Sequence, residues 1–195
     1  MFAEIENGYD GKPSIFDNIK QSDVILAFFP CIRFENQIML AFRGQSHGME
    51  KWTYKDKMIH CMKLLDELNH YYKVVNKMFI ICIDRGLKLI VENPYSEEHF
   101  LRRYWCLLPA IIDRDRRRNG DYVKKPTQYW FVNCEPQNNI LFEQMEYTEP
   151  HLIEWMSKEN ANKMGAKTNK QARSMIHPQY ANRFIRQFIL KGDEA

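Results

Sequence analysis

The chain has 195 residues, 45% of them hydrophobic and 13% aromatic, which excludes a disordered chain and suits a single globular domain, residues 1–195, with a real core. Its net charge is only +3, too small by itself to argue for nucleic acid, so the distribution of charge says more than the sum. The five cysteines, Cys31, Cys61, Cys82, Cys106 and Cys134, are odd in number, widely spaced and without a Cys-x-x-Cys, which argues against a disulfide framework or a zinc site.

Reduced cysteines fit a reducing cytoplasm. The first ten residues carry acids where a signal peptide needs basic and then apolar residues. No apolar run approaches the ~18 residues of a membrane span. The expectation is a cytoplasmic protein with no membrane partner.

Residues 10–13 (DGKP) read as a turn, and Ser14 is placed to cap a short helix through Ile19. Residues 24–29 (VILAFF) form an unbroken apolar run closed by Pro30, the pattern of a strand covered on both faces. Gly44 to Gly48 is a loop. From residue 53 to residue 84, Met58, Met62, Leu65, Leu68, Tyr72 and Val75 recur at steps of three or four, giving one long helix or two. Gly86 is a stop signal. Residues 87–91 form a second apolar strand, ended by Glu92-Asn93-Pro94. Strand, helical crossover and strand predict a parallel βαβ unit.

Ser96 looks like a further N-cap, with Glu97 and Glu98 in the first turn. Residues 107–112 are a strand or a buried loop. A basic loop follows, then a strand at residues 128–132. Residues 157–173 are polar and read as a mobile loop. Pro178 opens a last amphipathic helix with Tyr180, Phe184, Ile185 and Phe188 on one face.

Four features bear on chemistry. Cys31 stands where a strand of an open α/β sheet ends, the usual place for ligands; it is either a nucleophile, if positive charge stabilises the thiolate, or an inert buried thiol. Glu92 ends the neighbouring strand, so its carboxylate either faces the same crevice or belongs to a solvated turn. Arg114, Arg116, Arg117, Arg118, Lys124 and Lys125 cluster against only Asp113, Asp115 and Asp121. Such a loop either binds phosphates or is a solvated charge run. Thr127 leads into Tyr129-Trp130-Phe131, which either lines a base pocket or packs as ordinary core. The histidines are scattered, His60 and His70 share no clean helix face, and no metal site is expected.

In their order along the chain, these pieces resemble the cytosine-5 DNA methyltransferases, in particular divergent phage and bacterial forms. Residues 23–31 (DVILAFFPC) are similar to the family strand that ends in Pro-Cys, and residues 89–94 (LIVENP) to the strand that ends in Glu-Asn. Residues 124–130 (KKPTQYW) resemble the later strand after a basic loop, and residues 173–189 (RSMIHPQYANRFIRQFI) the closing helix. The resemblance implies an α/β fold with a mostly parallel sheet of the Rossmann-like, S-adenosylmethionine-dependent methyltransferase type. It implies Cys31 as the nucleophile at carbon 6 of a flipped cytosine and Glu92 as the acid at ring nitrogen 3. Pro30, Asn93, Pro94 and Thr127 would adjoin the base, with Asn93 orienting the loop. The six basic residues would face DNA phosphates. Asp23, Phe29 and Ser174 would touch the donor, S-adenosylmethionine.

Ile32 follows Pro-Cys where the family has a polar residue. The eight glycines are isolated and no Gly-x-Gly occurs, so the front of the fold that cradles the donor is expected to be missing. A second chain or self-association would then complete the sheet. The family link suggests a restriction-modification setting. Two alternatives stand beside this reading. One is a non-catalytic nucleic-acid-binding or assembly module on a degenerate methyltransferase scaffold. The other is an amino-group methyltransferase, whose motif Phe29-Pro30-Cys31-Ile32 does not fit.

Overall fold

The computed structural model describes residues 14–36, 38–142 and 158–191. The turn expected at residues 10–13 lies outside them. The elements in chain order are β1 (Val24–Phe28), α1 (Ile38–Phe42), α2 (Tyr54–Arg85), β2 (Lys88–Pro94), α3 (Phe100–Tyr104), β3 (Ile111–Asp113), a 3-10 turn (Arg116–Asn119), β4 (Thr127–Val132), α4 (Lys158–Lys163), α5 (Asn169–Ser174) and α6 (Pro178–Phe188).

The fold is α/β, with a four-stranded mixed sheet in the order β1-β2-β4-β3. β1 and β2 are parallel, Val24 opposite Lys88 and Phe28 opposite Glu92, as the βαβ pattern predicts. The sheet as a whole is not mostly parallel. A parallel return needs a long crossover, usually a helix. Helix α2 supplies one between β1 and β2, whereas residues 114–126, between β3 and β4, hold only the 3-10 turn.

The described chain divides into two compact units where the composition suggests one domain. The first contains residues up to Ala110 together with Tyr129–Cys134, and the second contains Ile111–Gln128 together with the residues from Glu135 onward. Strand β4 contributes residues to both.

In the first unit, α2 is one continuous helix of 32 residues. Thr53 starts it with a reciprocal capping box: its hydroxyl accepts the Asp56 amide at 3.2 Å, and the Asp56 carboxylate accepts the Thr53 amide at 3.3 Å. Gly86 stops it in the left-handed conformation, φ 65°, donating its N–H to the Cys82 and Ile83 carbonyls. The buried face carries Leu64, Leu68, Val74, Val75, Met78, Phe79, Ile81 and Cys82. Most of these pack with Leu89 and Val91 of β2 and with Phe29, Phe34, Trp105 and Trp130.

β1 departs from the expectation of a doubly covered strand. Ile25 and Ala27 pack on the core, but Val24, Leu26 and Phe28 are exposed, Phe28 by 57%. It stands at the edge of the sheet formed by the described residues. After Ser14 the chain makes turns and no helix. Ser96 does not cap α3 either. Its carbonyl accepts the His99 amide, and Glu97 and Glu98 reach Arg102 and Arg103 instead of the helix amides.

In the second unit, residues 158–174 include two short helices, α4 and α5, where a mobile polar loop is expected. A small cluster of Ala161, Met164, Ala166 and Ala172 holds them, joined by Tyr122 and Met175. These apolar residues are too few and too small to stand out in a polar sequence. Among the described residues, no helix is long and apolar enough to cross a membrane.

Candidate active site at the carboxyl ends of the parallel strands

Strand β1 runs directly into the loop that carries Cys31. The Phe29 ring turns inward, 8% exposed, stacked on Phe34 at 5.9 Å and edge-on to Tyr71 at 6.2 Å. Pro30 follows, half-buried. Cys31 then opens a helical turn in which its carbonyl accepts the amides of Phe34 at 2.7 Å and Glu35 at 3.1 Å. The Cys31 residue is half-buried and Ile32 beside it is exposed.

Glu92 lies in the adjacent strand, two residues before its end at Pro94. Its partner in register is Phe28, so Cys31 and Glu92 both leave the carboxyl end of one parallel pair. Glu92 is 6% exposed. Asn93, with no exposed surface, joins the two strand ends. Its Nδ2 donates to the Phe29 carbonyl at 2.9 Å and to the Glu92 carbonyl at 3.1 Å, while its Oδ1 meets His99 Nε2 at 3.0 Å. A second tie lies nearby, where the Phe100 amide donates to the Phe34 carbonyl at 2.8 Å. Asn93 thus ties the loop after β1 to the end of β2, with its amide buried. Pro94 is half-buried at the same end.

His99 is the member of this group that the sequence pattern does not reveal. It is fully buried, and burial lowers its pKa to about 4, so the ring is neutral at pH 7. Its Nδ1 has no hydrogen-bond partner among the described residues. The only advance signal was a histidine six residues after an asparagine, which is no motif.

Two other thiols are poor candidates for nucleophiles. Burial pushes Cys82 up to about 11 and also raises Cys134. Cys61 donates to the Phe42 carbonyl at 3.3 Å.

Of the residues expected at the donor, Asp23 and Phe29 lie at opposite ends of β1. Asp23 precedes β1, at the opposite end of that strand from Cys31, and its carboxylate accepts the Lys20 amide at 2.9 Å within a local turn. Phe29 is core. The Ser174 hydroxyl donates to the Gln171 carbonyl at 2.7 Å in the second unit. The described glycines with positive φ, Gly44, Gly48, Gly86, Gly120 and Gly165, are separate turns and caps, not one phosphate-binding or nucleoside-binding loop. These residues do not fit S-adenosylmethionine. Thr127 also differs from expectation: it is fully buried, and its hydroxyl donates to the Lys125 carbonyl at 2.9 Å.

The basic segment lies in the second unit and splits by role. Arg116 is fully buried, ion-paired with Asp121 and stacked 4.4 Å over the Tyr180 ring. Asp121 also accepts the amides of Tyr122 at 2.7 Å and His177 at 3.1 Å. Tyr180 in turn donates to Asp113 at 3.2 Å. Arg117 makes two 3.0 Å bonds to Asp115, which hold that carboxyl below its usual range. Arg116 is thus a structural cation and not a phosphate contact, and Arg117 is engaged locally. Arg114, Arg118 and Lys124 are exposed, and Lys125 is half-buried.

A shallow cleft of about 350 Å³ lies at the start of α2, lined by Trp52, Asp56, Ile59, His60 and Lys63. It includes neither Cys31 nor Glu92, and the His60 ring meets Trp52 edge-on at 5.3 Å. Among the described residues, no group of three or more His, Cys, Asp and Glu side chains could hold a metal ion. In comparisons with protein-family models, curated proteins and solved structures, nothing matches this chain.

Proposed function

We propose that this chain is the target-base and DNA-facing part of a cytosine-5 DNA methyltransferase-like protein. The observation that carries the reading is the parallel β1–β2 pair, which sends Cys31 and Glu92 from the same sheet end, with Asn93 joining the two strand ends. A thiol and an acid are the two groups that addition to a cytosine ring requires. Cys31 loses its thiol proton to solvent, the thiolate sulfur forms a bond to carbon 6, the electron pair of the carbon 5–carbon 6 double bond moves toward carbon 5, and Glu92 in its acid form gives a proton to ring nitrogen 3. Negative charge then does not accumulate on the base. Carbon 5, now nucleophilic, takes a proton from water when no methyl group is at hand. Loss of the original hydrogen from carbon 5 to the hydroxide left by that water, return of the nitrogen 3 proton to Glu92 and departure of the thiolate restore the ring. The base must leave the helix stack for this chemistry. Exposed Arg114, Arg118 and Lys124 would meet the phosphates.

S-adenosylmethionine supplies the methyl group in this family, and no step through it is assigned to this chain, because Asp23 and Phe29, at opposite ends of β1, form no cradle. A second chain of different sequence, seated along β1, would bring one, whereas a second copy would only complete the sheet. The exposed row of Val24, Leu26 and Phe28 supports that placement. With no cradle among the described residues, a second reading stands beside it, a non-catalytic nucleic-acid-binding or assembly module.

Tritium release from DNA labelled at carbon 5 of cytosine separates the two readings, because it needs no donor. Under the first, the chain releases tritium, Cys31→Ser abolishes release, and Glu92→Gln slows it by about 100-fold. DNA binding without any release establishes the second reading in its place. Calorimetric titration with S-adenosylmethionine, with and without added partner, locates the donor site.

A further inference from the structure

We propose that His99 is a positioning residue for the Cys31 thiol, acting through the side-chain amide of Asn93. The inference rests on the cytosine-addition reading for its catalytic meaning, but the geometry behind it is independent of that reading.

A buried asparagine amide can sit in two orientations 180° apart, and its hydrogen-bond partners select one. Here two backbone carbonyls, those of Phe29 and Glu92, lie 2.9 Å and 3.1 Å from one end, so that end must be the NH₂ group. The other end is then Oδ1, an acceptor, and it faces His99 Nε2 at 3.0 Å. The proton of the neutral ring must therefore sit on Nε2. With the proton on Nδ1, Nε2 would become an acceptor and Asn93 would have to turn its NH₂ toward the ring. Its oxygen would then point at two carbonyl oxygens, and both bonds to those carbonyls would be lost.

The ring is itself fixed. It has no exposed surface and lies 6.1 Å from Phe34, tilted by 49°. Its backbone amide is anchored to the Ser96 carbonyl at 3.2 Å. Position is thus passed along a short path: His99 sets the flip of Asn93, Asn93 holds the Phe29 carbonyl, and Cys31 follows two residues later. Burial keeps the ring neutral around pH 7, so the relay carries position and no proton. An isosteric apolar residue at 99 would leave Asn93 Oδ1 buried without its donor.

The test compares His99→Leu, which removes the donor, with His99→Gln, whose amide nitrogen reaches about where Nε2 stands. Two rates are read: tritium release from cytosine, and alkylation of Cys31 by iodoacetamide relative to exposed Cys106 as internal control. In His99→Leu, tritium release falls by about 10- to 100-fold with DNA affinity unchanged, as small misplacements of a reacting group cost rates of that order. Cys31 alkylation rises by at least about threefold as its turn loosens. His99→Gln restores both rates to within about threefold of the original. Unchanged rates in His99→Leu, or no recovery in His99→Gln, overturn the proposal. If the unmodified chain releases no tritium but Cys31 alkylation responds as stated, the cytosine reading falls and the positioning role stands. Release at equal rates from the unmodified chain and His99→Leu overturns the positioning role and leaves the cytosine reading in place. Should His99→Leu not fold, two-bond ¹H–¹⁵N spectra of the unmodified protein decide. They show the proton of His99 on Nε2, and a proton on Nδ1 overturns the proposal.

Discussion

Replacing Arg116 by methionine tests whether this arginine is a structural cation or a DNA contact. Methionine matches the length of the stem but removes the charge and leaves Asp121 in the interior. Both side chains of the pair are essentially inaccessible, 0% for Arg116 and 1% for Asp121. Removing one partner of a buried pair costs about 3–5 kcal/mol, because the remaining charge is uncompensated. Losing the guanidinium over Tyr180 adds about 1 kcal/mol. Two backbone amides still reach the Asp121 carboxylate, from Tyr122 and His177, which places the expected total near the lower end, about 4 kcal/mol. Asp121→Asn keeps an acceptor for those amides while removing the charge. The double variant Arg116→Met, Asp121→Asn is therefore expected to recover about 2 kcal/mol of the loss. Urea unfolding followed by circular dichroism gives the three stabilities, and hydrogen exchange over residues 177–188 localises the effect to α6. A loss below about 1 kcal/mol for Arg116→Met, or additive effects in the double variant, refutes the reasoning.

The remaining predictions concern DNA and pH. If the proposed DNA-facing role holds, replacing both exposed Arg118 and Lys124 by alanine weakens DNA binding uniformly across sequences, and the slope of log affinity against log salt drops by about 0.9 per lost phosphate contact; fluorescence anisotropy at several salt concentrations checks it. His99 gives stability a pH dependence of definite sign. Its folded pKa of about 4 lies below the unfolded 6.5, so between these values the unfolded chain binds more protons. Its contribution is complete above about pH 6.5 and is lost as pH falls toward 4, by at most about 3 kcal/mol. Asp17 and Asp115 are held below their usual 3.8, so their contributions are lost at still lower pH. Denaturation midpoints from pH 7.5 to 3.5 show the upper stage in the unmodified chain, and His99→Gln flattens it.

The βαβ unit was legible because its signals are local. An apolar run closed by Pro30, a three-and-four apolar spacing, and Gly86 at a position needing positive φ each follow from chain geometry alone. The side on which each strand is covered was not legible. The run at residues 24–29 is apolar at every position, so nothing in it distinguishes a doubly buried strand from an edge strand with Val24, Leu26 and Phe28 in the open. The same limit applies to charge. Arg116 and Arg118 are indistinguishable in a basic run, and only the arrival of Asp121 and Tyr180 makes one of them interior. At the site, the ends of both strands could be located from Pro30 and from Glu92-Asn93-Pro94. The partner of Asn93 could not, because a lone histidine carries no periodic signature until the loop around it closes. The helices at 158–174 were missed for a related reason: four small apolar residues at Ala161, Met164, Ala166 and Ala172 leave the segment polar on average.

Helix α2 spans roughly 48 Å at 1.5 Å per residue, and its two halves are held by different forces. Toward Gly86 it is anchored by Val74, Val75, Met78, Phe79, Ile81 and Cys82, whereas toward Thr53 only Leu64 and Leu68 are buried. The first turns therefore depend on the Thr53–Asp56 cap, and the last on tertiary packing. Local opening becomes progressively harder from one end to the other, so the crossover joining β1 and β2 melts from its Thr53 end while the end leading into β2 stays fixed.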